Sequence, residues 1–360
     1  MRPSLWRFSI LTSIALAGAV ALTACGTAAP TGTSPIGSPT PGQQTPGATV
    51  GGTITVYSGR SEELVGPLLE RFRDETGVTV QVRYGDTAEL AVLLTEEGAA
   101  SHADVYFAQD GGALGAVAQA GLLANLPASI LERVPAAFRS PAGEWVGISG
   151  RARVVAYDTS DLGAADLPQS IDELTDEQWR GRIGWAPTNG SFQAFVTALR
   201  LMRGDDGARA WLQAMLANEP VRYDGNSQIV QAIADGEIDL GLVNHYYALR
   251  QIAEQGEGFP VRNHFLAADD PGSLINIAGA GMLASSDNPA AAQRLIEWLL
   301  GEGAQAYFAQ STFEYPLVEG VNGPPQVPPL AELQHPDIDL SDLSDLEGTL
   351  DLLREVGVLE

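Results

Sequence analysis

The sequence predicts an α/β protein built as two lobes joined by crossing β-strands. Three observations lead there. From Ile54 onward, short β-branched runs alternate with amphipathic helical stretches, the pattern of a mostly parallel sheet covered on both faces by helices. Two β-rich stretches, "EWVGISGRARVVAYD" and "SLINIAGAGMLAS", have the length of strands that pass from one lobe to another. Roughly 300 residues follow the N-terminal region, too many for one small core. With no internal repeat and no second linker, the lobes are expected to be interwoven: 53–152 with 277–325 in one, 153–276 with 326–360 in the other.

At the N-terminus, Arg2 and Arg7 precede "SILTSIALAGAVALTA", too short to span a bilayer comfortably and laid out as a secretory signal. It ends in "LTAC", which resembles the lipobox of bacterial lipoproteins; that resemblance implies that Cys25 is lipidated and becomes the mature N-terminus. Cys25 is the only cysteine, so no internal disulfide is available to the exported domain. Residues 26–52 are nearly all Gly, Pro, Ser, Thr, Ala and Gln and read as a flexible tether. Anchor, tether and body describe an exported monomer held at the outer face of the cell membrane or in the periplasm, touching the membrane only through its lipid. A formal net charge of -25 argues against nucleic acid and anionic lipid as partners.

Along the body, "ITVYS" is a strand that stops at Gly59, and Ser61 is placed as the N-cap of a helix with Glu62 and Glu63 in its first turn. Leu64, Val65, Leu68, Leu69 and Phe72 recur at helical spacing up to Gly77. "VTVQVRY", "AELAVLLTEEG", "ADVYFA" and "GALGAVAQAGLL" continue the alternation. "GRIGWAP", "SFQAFVTALRLM", "GARAWLQAMLAN", "SQIVQAIADGE" and "IDLGLVN" repeat it. Ligands of open α/β sheets sit beyond the carboxyl ends of strands. The residues to examine are therefore Arg60 and Ser61, Gln109 and Asp110, Asn189 to Ser191, and Asn244 to Tyr247.

Each of these loops opens a helix, whose free N–H groups and positive dipole end favour anions and ionised side chains. "NHYY" places Asn244 as a possible N-cap and Tyr246 and Tyr247 in the first turn, where neighbours diverge by only about 100° and can reach one cleft. Two phenolates are hard oxygen donors that suit ferric iron, which would displace their protons. One cysteine and four histidines in no ligand spacing speak against zinc or an iron–sulfur cluster. The plain alternative is packing, which tyrosines serve well.

The chain resembles the ferric-ion-binding proteins that deliver Fe3+ to bacterial ABC importers. The resemblance runs from "ITVYSGRSEEL" through "ADVYFAQ", "GRARVVAYD", "NHYY" and "DPGSLINIAGAG" to "EYPLV". It implies a two-lobed fold of the type II periplasmic-binding-protein kind, closing on a metal ligated by Tyr246 and Tyr247. Some members carry histidine where this chain has Ser61 and glutamate where it has Gln109, and others a tyrosine in the loop that here reads "PTNGSF". Asp110, Gln109 and Tyr57 are the further metal-ligand candidates. The family commonly holds a synergistic anion, carbonate or phosphate. Asn189, Gly190 and Ser191 suit it, with Arg151 as charge partner and Arg60, Ser61 and Asn226 as further candidates. Against these stand blander roles: Asp110 as a helix cap, Arg151 in an interlobe ion pair, Tyr57 in the core, Arg60 on the surface, and Asn226 as a cap. His245 is expected to pack or hydrogen-bond. The partner implied is a membrane permease. The rival reading is a binding protein for another small solute, an oxyanion or a polyamine. No GxSxG, Walker or HExxH motif supports an enzyme.

Overall fold

The structure, a computed structural model, describes residues 51–267 and 269–360. The expectations for residues 1–50, Cys25 and most of the tether among them, lie outside the described residues. The chain begins with β1 (Gly52–Ser58), α1 (Glu62–Thr76), β2 (Val78–Tyr84), α2 (Thr87–Glu97), β3 (Val105–Ala108) and α3 (Gly111–Gln119). In α1 the helically spaced Val65, Leu68, Leu69 and Phe72 are buried. Gly77 ends it in the left-handed conformation (φ 75°), a position that favours glycine. A short α4 (Ala128–Leu131) leads to β4 (Trp145–Asp158). The chain continues with β5 (Ile183–Trp185), α5 (Gly190–Ala217), β6 (Val221–Arg222), α6 (Asn226–Ala234), β7 (Leu240–Asn244), α7 (Tyr246–Gln255) and β8 (Val261–His264). The chain then returns through β9 (Ile275–Met282), α8 (Pro289–Leu299), α9 (Glu302–Tyr307) and β10 (Tyr315–Pro316) and ends with α10 (Leu346–Val356). The two helices expected from "SFQAFVTALRLM" and "GARAWLQAMLAN" form one span, α5, broken at Gly204 (φ 71°, ψ 167°).

The strands follow the order β2-β1-β3-β9-β4-β7-β5-β6, with β8 and β10 also paired to β4. The crossing is sharp. Ala152 of β4 pairs with Ile275 of β9, and the next residue, Arg153, pairs with Asn244 of β7. Outer pairs such as β1–β2, β1–β3 and β5–β7 are parallel, as expected. The centre departs from that expectation: β3–β9, β4–β9 and β4–β7 are antiparallel. The reason is geometric, since β4 carries the chain out of the first lobe and β9 carries it back alongside.

The C-terminal segment makes a third passage. Residues 340–344 lie so close on α3 that a Cβ on Gly112 would stand 2.3 Å from the Leu343 carbonyl oxygen. Two residues later α10 packs on α5, with the Thr197 and Thr349 hydroxyls 2.8 Å apart and Arg200 Nη1 2.9 Å from Asp345 Oδ2. The expected 326–360 segment therefore contacts α3 through residues 340–344 and α5 through α10.

Candidate metal and anion site

His245 carries the local geometry of the tyrosine pair. β7 ends at Asn244, so the residue at the N-cap of α7 is His245 and not the Asn244 suggested by the sequence. His245 is buried, and it clasps the crossing strand at its turning point. Its Nδ1 accepts from the Ala152 N–H at 3.1 Å, and its own N–H donates to the Ala152 carbonyl at 3.0 Å. The ring proton therefore sits on Nε2, and burial holds the imidazole down to about 4, so it is neutral. On one side of His245 lies the Tyr315 ring, 4.6 Å between centroids; on the other the Tyr246 ring meets it edge-on at 5.9 Å. The packing role expected for His245 is what the structure shows.

Tyr246 and Tyr247 stack on one another, with centroids 4.3 Å apart and planes 29° off parallel. Tyr246 is buried and Tyr247 half-buried. Burial first, and then the neighbouring Tyr247, push the Tyr246 phenol well above its ordinary value, while Arg151 works the other way. Three guanidiniums surround this region. Arg60, Arg151 and Arg153 are 1%, 3% and 2% exposed, and the Nε of each has no hydrogen-bond partner. Arg60 pairs with Glu314, itself buried, so it is not the surface arginine of the plain alternative. Arg151 donates to the Ile277 carbonyl at 3.0 Å. Arg153 lies against the Phe192 and Phe195 rings and donates to Ser191 Oγ at 3.3 Å and the Leu242 carbonyl at 3.2 Å. Burial pulls its pKa down to about 9, against Tyr247, leaving it a cation at neutral pH.

The loop opening α5 gathers a polar cluster. Asn189 caps the helix, its Oδ1 accepting from Ser191 N–H at 3.0 Å and Ser191 Oγ at 2.6 Å. Asn226, first residue of α6, turns its Nδ2 to Asn189 Oδ1 (3.3 Å) and Ser191 Oγ (3.2 Å) instead of capping its own helix. A cleft of about 490 Å³ opens here. Gly59, Gln109, Asp110 and Gly112 line it on one side, Arg153, Asn189, Gly190 and Ser191 on the other, with Arg151 and Asn244 between. The tyrosine rings are not in its lining; Asn244, which lines it, lies two residues before the pair.

Two expected ligands lie elsewhere. The Tyr57 hydroxyl stands 3.1 and 3.2 Å from the Glu97 carboxylate oxygens, at the end of α2 away from the cleft-lining Thr87. Its position is structural because strand alternation turns it from the site. Ser61 is exposed at the N-cap of α1, makes no capping bond and does not line the cleft. Asp110 caps α3, accepting from Ala113 N–H at 2.8 Å, yet it faces the cleft; burial pushes its carboxyl up, and the Ala113 N–H and Arg151 oppose that. Among the described residues, no group of three or more His, Cys, Asp or Glu could hold a metal ion.

A family model described as "Bacterial extracellular solute-binding protein" matches residues 100–341. The Fe(3+)-binding periplasmic protein of Serratia marcescens is 34% identical over 308 residues, covering 85% of this chain and 90% of its own. This chain belongs to the ferric-ion-binding family of bacterial extracellular solute-binding proteins. The major ferric iron-binding protein of Neisseria gonorrhoeae is likewise 34% identical, over 311 residues, 85% of this chain and 93% of its own. Iron-bound HitA from Pseudomonas aeruginosa superimposes with a TM-score of 0.79 at 36% identity, covering 85% of this chain and 99% of that one. The Trichodesmium protein IdiA (FutA), in complex with iron and citrate ligands, gives 0.75 at 28% identity over 85% and 99%.

Two residues of this family member were absent from the sequence reading. Arg153 shares a strand face with Arg151, two residues away, and that alternation alone points to it. Glu314 stood inside the quoted "EYPLV", but its burial against Arg60 depends on a backbone turn that no local pattern announces.

Proposed function

We propose that this protein is the substrate-binding component of an iron(III) ABC importer. It takes up Fe3+ through Tyr246 and Tyr247 together with a synergistic anion, carbonate or phosphate, and hands it to a membrane permease. The observation that carries this reading is the stacked tyrosine pair beside three buried guanidiniums, of which Arg60 is ion-paired to the buried Glu314. Such surroundings repel a bare cation. The guanidiniums, acting against the burial that holds the Tyr246 phenol protonated, favour a phenolate, and they favour a metal joined by an anion. Arg153, Asn189, Ser191 and Asn226 supply the anion's donors, with Arg151 and the Gly190 N–H at the start of α5. Asp110 and Gln109 face the same cleft and remain the side chains placed to complete the metal's shell. Lobe closure about the crossing at Ala152 and Arg153, a monomeric body and a lipid anchor at Cys25 belong to the same reading. The ferric iron that the relatives bind supports it.

The test is optical. Metal-free protein is mixed with a weak ferric chelate, with and without bicarbonate or phosphate. A phenolate-to-iron charge-transfer band is expected, lost in Tyr246→Phe and in Tyr247→Phe and strengthened by the anion. The Arg153–Asn189–Ser191–Asn226 cluster favours one other reading, an oxyanion carried without iron. Protein that stays colourless with iron but binds phosphate would select it.

A further inference from the structure

We infer that the Arg60–Glu314 ion pair sets the charge around the tyrosine pair, its two members pushing the ferric–ferrous balance of bound iron in opposite directions. This rests on the iron reading above. The pair is assembled from distant parts of the chain. Arg60 follows β1, whereas Glu314 is delivered by an uncommon backbone path. After α9, residues Phe308–Thr312 form a π-turn and Phe313 adopts the left-handed conformation (φ 58°, ψ 27°) before β10 begins. A bulky residue at positive φ and a π-turn are both costly, and they persist where surrounding structure demands them.

Here they demand that Glu314 enter the core. One of its oxygens accepts from Arg60 Nη2 and the other from Ser149 Oγ on the crossing strand. The ring of its neighbour Tyr315 packs at a tilt against His245, which meets Tyr246 edge-on, so two ring contacts link this turn to the phenols. Arg60 Nε is buried with no partner. Burial works against the Arg60 charge, and Glu314 and then both tyrosines uphold it, which places all of these groups within one another's fields.

A fixed charge in a low-dielectric interior acts on an ion's two oxidation states unequally, because its interaction scales with their charge. Glu314 favours Fe3+ over Fe2+; Arg60 favours Fe2+. Neither touches the metal in this account; both are positioning residues, acting through the field and through the rings. Burial works against the Glu314 charge, and Arg60, then Arg151 and Ser149, uphold it and hold its carboxyl below the ordinary value.

The full-length protein, loaded with Fe3+ in the presence of phosphate or bicarbonate, is titrated spectroelectrochemically on its charge-transfer band. Glu314→Gln should raise the potential and Arg60→Met lower it. R60M/E314Q should return close to the parent, and Arg60→Lys should stay with the parent because it keeps the charge. A tenfold change in the ferric-to-ferrous affinity ratio reads as about 59 mV. Shifts of the same sign in both single variants, or none, would overturn the inference and leave a purely structural pair. If Glu314→Gln does not fold, Arg60→Met against Arg60→Lys carries the sign alone. A parent protein with no band overturns the iron reading, and this inference with it.

Discussion

At the scale of single residues, identity and position separate. Tyr57 and Tyr246 are both buried tyrosines near the ends of strands, yet one phenol faces a carboxylate and the other a second phenol. Tyr57→Phe should leave the iron band unchanged and lower stability by about 1 kcal/mol, the worth of a side-chain hydrogen bond, measured by urea denaturation. A lost band would return Tyr57 to the site. The tyrosine pair was legible because it is contiguous in sequence and opens a helix. The polar cluster opening α5 was legible for a similar reason, since Asn189 and Ser191 lie two residues apart. Glu314 was not, because its meaning comes from Arg60, far away in the chain, and from a turn at Phe313 that runs against local preference.

At the scale of elements, the alternation of strands and helices was readable from β1 through α7 except at the short α4 and β6, while β8, α8 and α9 were not read from the sequence. Two further departures share one cause: long-range contact overrides local pattern. The central strands are antiparallel because β4 and β9 cross together. In the acidic run "DIDLSDLSDLEG" only Leu340, Leu343 and Leu346 mark a three-residue spacing, yet residues 340–344 form a 3-10 turn seated on α3. What seats it is the glycine face of that helix: a Cβ on Gly111 would lie 2.7 Å from Leu340 Cβ, and one on Gly115 would lie 2.4 Å from the Ser341 carbonyl oxygen. Gly112→Ala would press on the Leu343 carbonyl, where backbone must move. It should therefore destabilise by about 1–3 kcal/mol, as overpacking does, although alanine is the better helix former. An unchanged or raised urea midpoint would show that the segment yields freely.

At the scale of the whole molecule, charge is one-sided. The chain has 45 acidic residues against 20 basic ones, every one of the latter arginine. A net charge this far from zero destabilises the compact state by self-repulsion. Added salt should therefore raise the denaturation midpoint, most steeply before the Debye length falls to about 3 Å near 1 M. A midpoint that falls with salt would mean that the surface ion pairs outweigh the repulsion. The crossing strands carry a different consequence, one of timing. β3 lies between β1 and β9, and Val105 of β3 pairs with Met282 of β9, on the far side of the entire second lobe in sequence. The first sheet cannot be completed from the N-terminal residues alone, and closing so long a loop comes before its contacts can reward it. The emerging chain thus has its first strands without their central neighbour until residue 282 is made, so the edge of β3 that β9 will cover stays open while the intervening strands and helices are synthesised.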